Sequence, residues 1–197
     1  DAIPRDTADS FLDIIINETD RMTHIVQDLL TLSRLDRGAA ELVLSRFPIS
    51  EAIESVVRSS ALSAQQHGHE LTCGDVKHLP LIVGDRSRLE QVMMNILGNA
   101  IKYTPDGGHI QVTAGTGENS VWVEVWDDGI GIPEKDQERI FDRFYRVDKA
   151  RSRESGGTGL GLSIAREIVQ RHNGSIAIAP HKGPGTTVRL TLPIMNN

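Results

Sequence analysis

One cysteine, Cys73, stands in the 197 residues, so no internal disulfide is possible and packing must hold the fold. Such sparing use suits a reducing compartment. Aromatic residues make up only 4% of the chain, which leaves Ile, Leu and Val to fill the core. No apolar run approaches the roughly 20 residues that a membrane helix needs. Residues 1–9 have neither the charge nor the apolar stretch of a signal peptide. A basic excess is missing too. The formal net charge is −6, which argues against a nucleic-acid binder, whose phosphate contacts need a positive face. With 39% apolar residues the chain can still build a real core, and its length suits one domain, with or without a helical appendage.

Between residues 9 and 35 the apolar side chains fall at helical spacing: Phe11, Ile15, Met22, Ile25, Val26, Leu29 and Leu32. Ile15, Met22 and Leu29 lie seven apart, as do Ile25 and Leu32, which is the stripe of a bundle or coiled-coil helix. A lone helix cannot bury such a stripe, so it needs a partner; a helix laid on its own domain is the plainer alternative. Gly38 is expected to end it. Beyond that point short β-like runs alternate with helices. Strands are expected at 42–49, 79–83, 110–114, 121–126, 175–179 and 186–192. Helices are expected from a Ser50 cap to 66, from an Asp85 cap to 103, over 134–144 and over 160–172. Residues 148–157 are polar and read as a mobile loop. This order predicts an α+β fold, a two-layer α/β sandwich with helices over one face of a sheet, preceded by one separate helix.

Four clusters carry chemistry. Asn95, Asn99, Lys102 and Tyr103, in NILGNAIKYT, share one helical face. Two amides and an ammonium on an otherwise apolar helix are costly unless they meet a polar ligand. Amide oxygens can complete an Mg²⁺ shell, and an ammonium can neutralise a phosphate; a hydrogen-bonded surface is the alternative. Asp127, Gly129 and Gly131, in WDDGIGIP, follow an apolar strand. A carboxylate there can accept from an exocyclic amine, such as adenine offers, although Asp and Gly also suit a plain turn. Gly157, Gly159 and Gly161 open a helix whose free amides and dipole favour an anion. No Gly-Lys pair occurs, so this is not a Walker loop, and a polar loop in place of a strand excludes a Rossmann turn. Gly183 and Gly185 precede Thr186 in KGPGTTV, alone a weak hairpin signal.

In this order the segments resemble the N, G1, G2 and G3 boxes of the ATP-binding domain of sensor histidine kinases, and FDRFYR, over 141–146, resembles the intervening F box. The likeness runs from about residue 42 onward. DRMTHIVQDLLTLSRLD is similar to the second helix of that family's dimerisation and phosphotransfer hairpin, and phosphate-sensing and cell-wall-sensing kinases of Gram-positive bacteria look most alike. The resemblance implies a histidine kinase/Hsp90/gyrase-type ATPase fold over residues 39–197, preceded in 1–38 by one helix of a dimerisation four-helix bundle. It implies binding of MgATP and transfer of the γ-phosphate to a histidine on the hairpin. Relay to an aspartate of a response regulator receiver domain would follow. The implied parent is a homodimer anchored in a membrane upstream of this chain, with these residues in the cytoplasm.

Residue by residue, the resemblance would give Mg²⁺ to Asn95 and Asn99, and phosphate contacts to Lys102 and Tyr103. Asp127 would accept from the adenine amino group beside Gly129, Gly131 and Ile132, with Thr186 lining that end. Arg146 would reach the terminal phosphate, which makes Lys102 and Arg146 the catalytic candidates. Residues 148–157 would be the ATP lid, with Gly157, Thr158, Gly159, Leu160, Gly161 and Leu162 against the nucleotide at its base; Lys149, Arg151 and Arg153 in it read as solvated charge.

The family's acceptor string, His-Glu-Leu-Arg-Thr-Pro, is absent. His69, Glu70 and Leu71 imitate its start, but Thr72, Cys73 and Gly74 follow and the segment reads as a strand. His67, His69 and Cys73 lack the fourth partner of a good metal site, and His24 reads as a bundle-edge residue. The chain is therefore expected to begin just before the second hairpin helix, and alone to bind ATP without labelling itself. Hydrolases of the gyrase, MutL and Hsp90 kind place a glutamate four residues before the metal-binding asparagine. Asn95 stands there, and an amide cannot take a proton from water. A nucleotide-binding regulator without catalysis is the third reading, and no missing motif favours it.

Overall fold

The computed structural model describes residues 5–36, 41–147, 158–181 and 183–194. Gly38, Gly157 and the basic residues Lys149, Arg151 and Arg153 lie outside the described residues. In chain order the elements are α1 (Arg5–Asp36), β1 (Ser45–Pro48), α2 (Ile49–Gln66), β2 (Glu70–Cys73), β3 (Leu81–Gly84) and α3 (Arg86–Tyr103). There follow β4 (His109–Thr116), β5 (Ser120–Asp127), α4 (Gly161–Arg171), β6 (Ser175–Ile178) and β7 (Thr186–Pro193).

Five strands form one sheet in the order β2-β4-β5-β7-β6, with β2 parallel to β4 and the other pairs antiparallel. A separate antiparallel pair joins β1 to β3. Alternation along β5 sends Val121, Val123 and Val125 into the core. Trp122 and Glu124 stay on the outer face, where the Arg189 guanidinium bonds Glu124 and lies 5.2 Å from the Trp122 ring. Helices cover the inner face: Ile53 and Val56 of α2, Leu89, Val92, Ile96 and Leu97 of α3, and Ile164 and Ile168 of α4 are buried with the strand side chains. The expected two layers are present.

Three local expectations need correction. The helix that Ser50 was to cap starts at Ile49, preceded by Pro48 with no side-chain cap. Burial of the Ile49 side chain draws the first turn one residue earlier. The expected helix over 134–144 is two short 3₁₀ turns, Glu134–Asp136 and Arg139–Phe141. Asp142 is extended (ψ 148°) and Phe144 has φ 61°, neither of which a helix can absorb. Finally, the stripe on α1 is two stripes. Phe11, Ile15, Met22, Val26 and Leu29 are exposed, whereas Leu32 and Leu35 are buried and Arg21, Ile25 and Asp28 partly so. Positions 21, 25, 28, 32 and 35 follow one helical face, and it packs on the rest of the chain. The Arg171 guanidinium clamps its end by bonding the Leu35 carbonyl. A helix partly laid on its own domain is thus correct for this face, while the other face remains open.

Asp85 caps α3 as expected and does more. Its carboxylate accepts from the Arg88 N–H (3.1 Å), the Ser87 hydroxyl (2.8 Å) and the distant Val43 N–H (3.1 Å). Its own N–H donates to His172 Nε2 at 2.9 Å, and His172 Nδ1 donates to the Ile168 carbonyl at 2.8 Å. The neutral imidazole tautomer is therefore fixed at both nitrogens, and the start of α3 is tied to the end of α4. Burial pushes the Asp85 carboxyl up, but the hydrogen bonds from Ser87, Arg88 and Val43 outweigh it and hold it below the usual range.

Candidate functional site

One face of α3 gathers the amides. Asn95 Nδ2 donates to the Gly161 carbonyl at 2.9 Å, which ties α3 to the first turn of α4 and leaves the amide oxygen as the group that can serve a ligand. Asn99 follows one turn on, partly buried. Lys102 comes last, its Nζ 5.3 Å from the Tyr103 ring centroid. Burial pushes the Lys102 ammonium down to about 8, with help from the nearby charges of Arg146 and Arg21.

Three cations therefore converge. The Nε and Nη2 atoms of Arg146 and the Nε of Arg21 are buried and make no hydrogen bond. Arg21 reaches Glu18 with Nη1 on the exposed side, at 3.1 Å. Buried polar groups without partners are costly, and like charges at close range add to the cost. A ligand with several negative charges offsets both terms, and a polyphosphate fits. Amide oxygens beside it suit Mg²⁺, a hard cation that shares its shell with phosphate oxygens.

A buried carboxylate forms the other end. Asp127 closes β5 and is 6% exposed. Its Oδ1 accepts from the Gly129 N–H at 3.0 Å, and the Thr186 N–H also donates to the carboxylate. Burial raises its pKa to about 6, against those two N–H groups and His181 and with the repulsion of Asp128. Asp128 is turned elsewhere and accepts from the His109 N–H and Nδ1, each at 2.8 Å. Gly185 is indispensable here: at φ 98° a Cβ would sit 1.7 Å from the Asp127 carbonyl oxygen. The Ile130 N–H donates to the Tyr103 carbonyl at 3.2 Å, which seats this loop, with Gly129 and Gly131, on the end of α3. The partly buried Ile132 accepts from Gln137 Nε2 at 3.2 Å.

The start of α4 meets the segment after the 3₁₀ turns. Phe144 N–H donates to the Gly159 carbonyl at 2.9 Å, with Gly159 at φ 72°, and this pairing sets Arg146 beside the helix start. Tyr145 anchors the same segment by donating to Asp136 at 2.7 Å. Thr158 Oγ1 accepts from the Leu160 N–H and donates to Asp28 of α1, both at 3.1 Å. The Leu160 side chain is fully buried and Leu162 packs against the core, so only their backbone can face a ligand, and the Leu160 N–H is already engaged. Gly161 lends its carbonyl to Asn95. Away from this region, buried His69 holds the Thr104 and Pro105 carbonyls at 3.2 Å with Nε2, a structural use.

The structure thus brings together Asn95, Asn99, Lys102, Tyr103 and Arg146, and at the other end Asp127, Gly129, Gly131 and Thr186. Arg21 and Asp28 were not singled out from sequence. Their spacing of seven from each other, and of Asp28 from Leu35, was a signal, hidden because the stripe was traced through apolar residues alone. Among the described residues no helix is long and apolar enough to cross a membrane.

Residues 84–196 match the family described as histidine kinase-, DNA gyrase B-, and HSP90-like ATPase. The sensor histidine kinase WalK of Bacillus subtilis is 40% identical over 195 residues, which are 96% of this chain and 31% of that protein. The sensor-like histidine kinase SenX3 of Mycolicibacterium smegmatis is 35% identical over 189 residues, 95% of this chain and 49% of that one. The chain thus spans less than half the length of each of these relatives. Among solved structures, full-length ShkA in complex with AMPPNP matches with a TM-score of 0.83 at 26% identity, covering 100% of this chain and 41% of ShkA. ThkA in complex with the response regulator protein TrrA matches with a TM-score of 0.78 at 26% identity, covering 98% of this chain and 53% of ThkA.

Proposed function

The chain belongs to the histidine kinase-, DNA gyrase B- and HSP90-like ATPase family, and from that premise we propose that it is the MgATP-binding catalytic portion of a sensor histidine kinase. The observation that carries this reading is the pairing of a buried carboxylate, Asp127, with a cluster of buried cationic nitrogens that lack partners, on Arg146 and Arg21 beside Lys102. Asp127 accepts from the adenine amino group, with Gly129, Gly131, Ile132 and Thr186 around it. Lys102, Tyr103 and Arg146 meet the phosphates at the start of α4, where Thr158, Gly159, Gly161 and Leu162 bound the site. The amide oxygens of Asn95 and Asn99 would hold Mg²⁺, which supplies neutralising charge to the phosphates.

Phosphoryl transfer asks chiefly for positioning and charge neutralisation. An acceptor imidazole nitrogen attacks the γ-phosphorus, the bond to the bridging oxygen breaks, and ADP leaves with the electron pair. The imidazole is its own nucleophile, so this chain needs no general base, and Asn95 at the hydrolase position fits. The aspartate of a response regulator would then receive the phosphoryl group. In this reading residues 1–38 are the second helix of the hairpin and 39–197 the ATP domain. The exposed apolar face of α1 pairs within a homodimer bundle, and the parent is a membrane-anchored sensor with this part in the cytoplasm. Titration calorimetry with Mg²⁺ tests the nucleotide: ATP should bind at least tenfold more tightly than GTP, whose carbonyl replaces the amine. Equal affinities would defeat the adenine assignment.

A further inference from the structure

Two polar residues of α1 reach the site from outside the ATP domain. Arg21 and Asp28 lie seven apart on the face that ends in buried Leu32 and Leu35. Asp28 is pinned, accepting from Thr158 Oγ1 at 3.1 Å just before α4. Two turns earlier on the same face, Arg21 lies near enough to Lys102 to disfavour its charge, as Arg146 does. The guanidinium is split in its use: Nη1 pairs with exposed Glu18 at 3.1 Å, while Nε is buried with no hydrogen bond, as are Nε and Nη2 of Arg146. Glu18 therefore satisfies only the exposed end of this guanidinium, and its buried Nε adds a third positive charge near Lys102 and Arg146 without a partner of its own. An anion placed among the three cations would satisfy that buried donor and offset their mutual repulsion.

We propose that Arg21 is a third phosphate-binding cation, so that the nucleotide is held between the ATP domain and α1 of the same chain. The inference rests on the nucleotide reading above and adds a residue from a different structural unit. It has a mechanical corollary. Because the phosphates would touch both units, nucleotide binding strengthens the docking of α1, and docking strengthens binding by the same factor. The Asp28–Thr158 bond sets the register of that docking, and Arg21 senses what occupies the site.

The test is calorimetric titration of the full chain with ATP, ADP and adenosine, each with Mg²⁺, for the wild type, Arg21→Ala, Arg21→Lys and Glu18→Ala. One partly solvated charge-assisted contact should make Arg21→Ala weaken ATP by about five- to tenfold. ADP should lose less and adenosine nothing, because the effect follows the phosphates. Arg21→Lys should recover most of the loss, and Glu18→Ala, which only frees Arg21 from a surface pair, should not weaken ATP. Arg21→Ala binding ATP within twofold of wild type would overturn the inference alone. So would an equal loss for adenosine, or a matching loss in Glu18→Ala, since either would make the role merely structural. Wild type failing to bind ATP at all would instead overturn the functional reading beneath it.

Discussion

Asp127→Asn removes a negative charge from a place where burial makes charge expensive, and its consequences for stability and for binding run in opposite directions. The carboxyl titrates at about 6 in the folded chain against an ordinary 3.8, so the native state holds its proton more tightly than the unfolded state does. Ionising it therefore costs stability as pH rises from about 4 through 6, and the full cost stands above that window. Raising the carboxyl from 3.8 to about 6, at 1.36 kcal/mol per tenfold change in proton affinity, corresponds to about 3 kcal/mol. Asparagine keeps one acceptor for the Gly129 N–H but turns an NH₂ toward a second donor, which takes back about 1–2 kcal/mol. The net expectation at pH 8 is a gain of about 1–2 kcal/mol, or about 2–8 °C in Tm for a domain of this size. At pH 4 the acid is protonated in wild type and the advantage should vanish or reverse. ATP affinity should fall about ten- to a hundredfold, because the variant offers a donor where the adenine amine needs an acceptor. Nucleotide-free calorimetric melts at pH 8, 6 and 4, with ATP titrations beside them, measure both. A variant less stable than wild type at pH 8, or a difference that does not change with pH, would refute the reasoning.

Two further perturbations probe other parts of the site. Asp85→Ala should cost about 2–3 kcal/mol by urea denaturation, since it removes the α3 cap and strands the Val43 N–H. Because the folded Asp85 carboxyl lies below its ordinary range, that stabilisation is present above about pH 4 and lost on further acidification, so the variant should unfold less steeply in acid. The Lys102 ammonium titrates at about 8, and phosphate binds its charged form, so ATP affinity should fall by up to about tenfold per pH unit above 8. Lys102→Met should bind more weakly at pH 7 and lose that pH dependence.

Much of this arrangement could be read along the chain because it is local. The Asp85 cap, the shared face of Asn95, Asn99 and Lys102, and the alternation that sends Asp127 inward and Asp128 outward each follow from spacing within one element. Where neighbours in space decided the outcome, the spacing was silent. Residues 134–144 contain apolar positions that mimic a helix, yet the Phe144–Gly159 pairing bends the chain into two short turns. The inner face of α1 mixes Arg21 and Asp28 with Ile25, Leu32 and Leu35, and a search for apolar periodicity passes over a face that is partly polar, with Asp28 bonded to Thr158. That Asn95 spends its amide nitrogen on the Gly161 carbonyl is likewise a tertiary fact, invisible in NILGNAIKYT.

The central claim is phosphoryl transfer from ATP to a histidine, and it is tested most directly by mixing this chain with a separate hairpin that carries an acceptor histidine, in γ-labelled ATP and Mg²⁺. The expected product is acid-labile, base-stable phosphate on the hairpin, none on any of the seven histidines of this chain, and no label when Asn99 is replaced by aspartate. Tight ATP binding with no label on the hairpin, or steady release of free phosphate in its place, would contradict the account.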